Sequence, residues 1–273
     1  LHARTIAWAC TLGCISLVGL WLGLAVGTHA LARAWVFTGL WGFVVVVYVT
    51  VAHRMIPFFT SSAMPMVQAW RPFWVLWLML AAAVLQVLAV WLDWLGLPAS
   101  AAGPAWGVVH GTLQLVIGCV LVWLACVWGL VQSLKNRLLA MLHIGFLWLG
   151  LAFLLGGLSR WLAWGYGMGA LGLGALHALT MGCLASLMLA MVTRVSCGHS
   201  GRALVADHTA WTLFWLLQVA TVLRIAAEVP GVFGMAWVWV LPVAAFLWAA
   251  TMGVWGVRLG RWYGCLRADG RPG

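Results

Sequence analysis

A chain of 273 residues that is 66% hydrophobic and 7% charged, with 22 tryptophans and a mean hydropathy of +1.08, lies far outside the composition of soluble globular proteins. The formal charge of +10 would suggest a nucleic-acid partner in a soluble protein, but here the arginines stand at the ends of apolar runs and report membrane topology, so no nucleic-acid partner is expected. The apolar runs show no period-two alternation, which excludes a barrel and predicts an all-α fold, a polytopic transmembrane helix bundle whose helices satisfy their own backbone polar groups in lipid.

The first apolar run covers about 5–27, with Gly19, Gly23 and Gly27 at four-residue spacing, an edge suited to close helix packing. Its start at Leu1, with no methionine and no signal-peptide pattern, gives the expectation of a segment cut from a longer protein. The second run, about 34–52, is rich in valine and ends at His53 and Arg54, before a loop reading RMIPFFTSSAMP. The third, about 73–95, holds Asp93, the only acid among the first 200 residues. After a turn at 96–104 comes a fourth run, about 106–131, with His110 about one turn inside and Lys135 and Arg137 at its exit.

The fifth run, about 138–158, has His143 near its start and Ser159 and Arg160 at its end. Residues 161–174 are aromatic and glycine-rich, which suits an interfacial or broken segment leading into a sixth helix. The seventh, about 209–229, is closed by Pro230 and carries Arg224 and Glu228 at i,i+4; the eighth is about 233–257. About eight spans result by the usual ~20-residue criterion, in one bundle over 1–257 followed by a basic cytoplasmic tail at 258–273.

The stretch HALTMGCLASLMLAMVTRVSCGHSGR, from His177 to Arg202, is the most structured pattern in the chain. No charge interrupts residues 178–192, so the segment ties a histidine at one membrane face to a polar loop at the other. Ala178, Gly182, Ala185 and Ser186 fall about a turn apart and admit a close neighbour. Gly198 and Gly201 flank His199 and Ser200, so the loop can hold the imidazole in a tight turn. With both chain ends in the cytoplasm, Arg4, Arg54, Arg71, Lys135, Arg137, Arg194, Arg202 and the tail arginines all fall inside. That orientation places His53, His143 and His199 toward the cytoplasm and His110 and His177 toward the outer face.

The blocks RMIPFFT, LHIGFLWLG around His143, HALTMGCLASLMLAMVTRVSCGHSGRAL and the terminal DGRPG together resemble the NnrS family of bacterial inner-membrane proteins. The resemblance runs across nearly the whole chain and corresponds to roughly the last two thirds of a family protein of about twelve helices. It implies a haem- and copper-containing membrane protein tied to nitric oxide metabolism and nitrosative stress, often in denitrifying bacteria. The implied partners are the lipid bilayer and nitric oxide or a nitrosyl species. No defined catalytic reaction is implied.

Chemistry then selects candidate ligands. Neutral imidazole suits both haem iron and copper, and an intramembrane histidine is costly enough to be a functional hypothesis. His110 and His177, at similar expected depth, could share one metal; Arg224 could face a haem propionate or pair with Glu228. His143, with His53 and His199, could form a second cluster. Against this stands the plainer reading of each as an interfacial residue bonded to a carbonyl or headgroup, and of the His199 loop as a helix cap; His2, His29 and His208 are read that way. The seven cysteines include no C-x-x-C, which excludes covalent haem attachment, and none is placed in the site. Four acids leave little room for a carboxylate mechanism, and no phosphate-binding glycine motif is present. A cofactor-free transporter and an assembly factor remain as alternatives.

Overall fold

The computed structural model describes residues 1–64, 66, 68, 70–97, 103–166, 171–228 and 239–271. The expected stop at Pro230, the start of the eighth span before residue 239, the centre of the 96–104 turn, the glycines at 167–170 and the final Pro-Gly pair lie outside the described residues. Among the described residues there is no strand, and eight helices are long and apolar enough to cross a membrane. The chain forms two compact units, Leu1–Thr112 and Leu113–Gly273.

In the first unit, α1 (His2–Ala25) turns at Gly27 and packs back on α2 (His29–Gly39). The glycine edge is real but one residue differs from expectation. Gly19 lies beneath the Trp35 ring and Gly23 against the Ala32 backbone, where an added Cβ would sit 2.7 Å from a nitrogen. A Cβ added at Gly27 would meet nothing within 4 Å; its φ of +73° makes it the turn residue. Gly13 takes the remaining place on the edge, with the Phe43 ring 2.8 Å from where its Cβ would be.

The second span does not stop at His53. It is one run of 35 residues, His29–Ala63, in which a π-helical segment π1 (Leu40–Val45) joins α2 to α3 (Val46–Ala63). Pro57, within the stretch expected as a loop, lies buried inside α3 although it brings no N–H to the helix. Thr60, Ser61 and Ser62 donate to the carbonyls of Ile56 and Phe58 in the turn that follows, and the helix runs on to Ala63. The helix α4 (Phe73–Trp94) packs on α2 and α3, and Trp91 Nε1 donates to Thr38 Oγ1 at 3.1 Å.

α5 (Gly103–Val127) is followed by Gly129 at φ +101° and a short α6 (Leu130–Ser133), then α7 (Arg137–Tyr166). Ser159 and Arg160, expected to end the fifth span, sit within α7, which is longer than the sequence suggested. In the second unit α7 is the central helix. Gly118 and Gly150 let α5 and α7 approach until an added Cβ would meet the opposite backbone at about 3 Å. On its other side α7 packs on the run formed by α8 (Gly174–His177), π2 (Ala178–Ala185) and α9 (Ser186–His199).

α10 (His208–Ala226) and α11 (Val240–Tyr263) complete the unit and pack on each other. α11 runs to Tyr263, so Arg258 and Arg261 belong to its last turns and the tail proper begins later. At α9's end, Arg202 N donates to Cys197 O at 2.9 Å and Gly201 N to Gly198 O at 3.3 Å, with Gly201 at φ +68°. This double-bonded left-handed stop satisfies carbonyls the helix would otherwise orphan. Ala268 N then donates to Ser200 O at 2.9 Å and folds the tail back on that turn.

Candidate functional site

The segment entering α8 is fixed from two sides. Leu171 N donates to Ser159 Oγ at 2.9 Å, and Gly172, at φ +50°, has no side chain to obstruct the Glu228 carboxylate that lies against it. Across from it, Arg224 Nη1 donates to Glu228 Oε1 at 2.5 Å, so of the two sequence readings for Arg224 the pair with Glu228 is made. His177 stands at the close of α8 with Arg224 and Glu228 acting electrostatically on its ring. Its Nε2 is buried and has no hydrogen-bond partner among the described residues. A buried imidazole nitrogen without a partner costs free energy unless something accepts or ligates it.

π2 begins at the next residue. A π-turn accommodates an extra residue and changes the azimuth of all that comes after it, and such segments occur frequently at functional sites. Here its geometry is held by a buried polar chain. Trp148 Nε1 donates to Gln218 Oε1 at 2.7 Å, and Gln218 Nε2 donates to Ser186 Oγ at 2.9 Å, joining α7, α10 and α9. Gly182 is required beneath the Trp148 ring, 2.6 Å from where a Cβ would be. Beside this chain opens an apolar cavity of ≈390 Å³ lined by Trp148, Leu151, Leu155, Val222 and Ile225. Ile225 is the neighbour of Arg224 and packs 3.6 Å from a Cβ built on Gly174, which places the cavity at the His177 end of the unit.

His143 is fully buried on α7 and hydrogen-bonds the Ala125 backbone of α5. Helix register separates it from two other candidates. Gly145 faces Ser186 and Leu187 while Gly182 faces Trp148, so α7 runs antiparallel to the π2–α9 run and His143 lies level with about residue 188. His177 and His199 each lie about eleven residues away along that run, ~16 Å in opposite directions. His199 is the exposed last residue of α9 and does not join His143.

In the first unit, His110 is fully buried with its ring stacked on Trp106, centroids 5.2 Å apart. His53 is also buried. Its Nε2 donates to Pro72 O at 3.1 Å, which leaves Nδ1 as the acceptor of a neutral ring, and His2 Nε2 donates to it at 3.1 Å. Both nitrogens of His53 are thus engaged, and ligation there requires one bond to be given up. His110 and His53 belong to the first unit and His177, His143, His199 and Arg224 to the second. Among the described residues no three His, Cys, Asp or Glu side chains converge as a metal-holding group.

Sequence reasoning passed over His2, which pairs with a residue 51 positions away and leaves no local signal. It also passed over Gln218 and Trp148. A lone glutamine in the middle of an apolar span was the available sign, since an uncharged amide in lipid seeks a partner helix.

This architecture defines a multi-pass, all-α membrane protein with histidines buried in its spans. More narrowly, the family model described as NnrS protein matches residues 1–267, and the chain belongs to the NnrS family. Comparison with curated proteins and with solved structures gave no match.

Proposed function

We propose that this protein is a haem- and copper-binding protein of the bacterial inner membrane, with a cytoplasmic C-terminus, that takes nitric oxide or a nitrosyl species as its ligand. The observation that carries the reading is His177: a buried Nε2 with no hydrogen-bond partner among the described residues, next to the Arg224–Glu228 pair. An imidazole nitrogen left unengaged among apolar helices is the donor a haem iron takes, and on that donor His177 fits the group. His177 would supply the ligand nitrogen, and π2 with the Trp148–Gln218–Ser186 chain would fix its azimuth. Arg224 is engaged by Glu228, so facing an anionic haem substituent would require that pair to open. His143 and His110 are further candidates, and copper is the natural second metal for neutral imidazole. When bound, haem would supply an iron centre able to coordinate a diatomic ligand.

The test is the optical spectrum of the purified protein, oxidised and reduced, with and without nitric oxide, together with metal analysis, repeated for His177→Ala and His143→Ala. A Soret band that shifts with nitric oxide and is lost in His177→Ala is the expected result. A preparation of the protein with neither haem nor copper would overturn the reading in favour of cofactor-free transport.

A further inference from the structure

At the other end of the π2–α9 run, roughly 30 Å from His177, the ends of α9 and α11 and the start of α10 enclose a second cavity, of ≈370 Å³. Its lining includes Thr193, Cys197, Arg202, Trp255, Arg258 and Trp262. The charges in it are unevenly matched. Asp207 receives both terminal nitrogens of Arg258 and also caps α10 by accepting from Ala210 N at 3.0 Å. That acid is fully used. Asp269, the other acid nearby, holds Arg267 at 2.7 Å.

Arg202 is left over. The left-handed turn at Gly201 delivers it to the cavity, and its guanidinium lies 4.5 Å over the Trp262 ring, with Arg258 5.1 Å over the same ring. Stacking fixes the plane of the fork, yet Arg202 Nη1 is buried and has no hydrogen-bond partner among the described residues. A buried guanidinium N–H is expensive to leave without an acceptor, and arginine's planar fork matches tetrahedral oxyanions. The cavity therefore combines a net positive charge, an oriented unspent donor, and two indoles at the end of three apolar helices.

We propose that this cavity is a phosphate oxyanion site, with Arg202 as its principal donor, Trp262 as the platform that orients it and Arg258–Asp207 as its fixed wall. The phosphate chemistry has two sources, an anionic phospholipid headgroup reached from the bilayer and free inorganic phosphate reached from water. The site is independent of His177 and of any haem.

The full chain in a neutral detergent is titrated with dioctanoyl phosphatidylglycerol and, separately, with inorganic phosphate, reading thermal unfolding and ³¹P line broadening. Arg202→Gln is compared with Arg261→Gln, which removes the same charge from α11 outside this cavity. Saturable stabilisation by the lipid alone assigns the headgroup source; stabilisation by inorganic phosphate as well assigns free phosphate. In either case Arg202→Gln weakens binding about tenfold or more, the loss expected for one charge-assisted hydrogen bond, while Arg261→Gln does not. Should Arg202→Gln fail to fold, Val205→Trp fills the cavity from its exposed rim and leaves Arg202 in place, and must weaken binding equally. No saturable binding of either probe, or equal binding by wild type and the cavity variants, overturns the proposal.

Discussion

Asp207 is the residue on which one end of the second unit depends. The hydrogen bonds from Arg258, and then the one from Ala210 N, hold its carboxyl below the usual carboxylate range, despite the opposing effect of partial burial. A depressed folded pKa contributes stability that is full above the unfolded value, ~3.9, and is lost as pH falls through the folded value. Thermal stability in detergent is therefore expected to fall below about pH 4, and Asp207→Asn to flatten part of that dependence. The side chain is 47% exposed, so solvent screening keeps the ion-pair share small. Asp207→Ala is expected to cost roughly 1 kcal/mol through the lost cap alone. Asp269, held down to about 2 by Arg267, belongs to a surface pair and should leave the melting curve unchanged when replaced by Asn. Gly182 is the residue-scale counterpart in the core. Gly182→Ala drives a methyl into the root of a Trp148 ring that Gln218 holds in place, and overpacking of this kind costs roughly 1–3 kcal/mol. A melting temperature within error of wild type would contradict that packing.

Among the elements, the run from α8 through π2 to α9 sets the candidate site. A helix of constant pitch would carry His177 and Ser186 at an azimuth fixed by their spacing, whereas π2 rotates one against the other. Deleting one residue, Thr180, is expected to convert π2 to ordinary helix and turn the His177 ring by ~100° relative to α9. The deletion should leave helical circular dichroism near wild type while removing any Soret band; retention of an unshifted band would show that π2 does not position the ligand. Gln218→Leu tests the same element from the neighbouring helix. It leaves the Trp148 indole and Ser186 hydroxyl without their shared partner and is expected to cost about 1 kcal/mol, the scale of an interhelical hydrogen bond in lipid.

At the scale of the whole molecule, the cations define an expected orientation. Arg202, Arg258, Arg261 and Arg267 gather where α9 ends, α10 begins and α11 ends. Positive residues beside short loops are retained on the cytoplasmic side. A green-fluorescent fusion at the C-terminus is expected to fluoresce and an alkaline-phosphatase fusion at the same point to be inactive; the reverse pattern would invert the assigned topology.

Composition and hydrophobic period alone determined the class of fold and the number of spans. Runs of about twenty apolar residues in a chain with four acids can satisfy their backbone only as membrane helices, and the eight spans were countable without coordinates. The blocks around His143 and His177 were legible too, because they lie contiguous in the chain. Only the tertiary structure decided where those helices end and which side chains meet. Pro57 reads as a break but is carried within a helix, and Ser159 reads as a stop but anchors Leu171 from inside α7. The pairing of His2 with His53, the distance of His199 from His143, the bond between Arg224 and Glu228 and the unspent donor of Arg202 depend on helix register and azimuth. Neighbours across helices are separated by tens of residues in sequence, and π segments shift the azimuth with no compositional mark. Local pattern fixes that a helix forms, while the face it turns to its neighbours is set by packing against residues the local pattern does not contain.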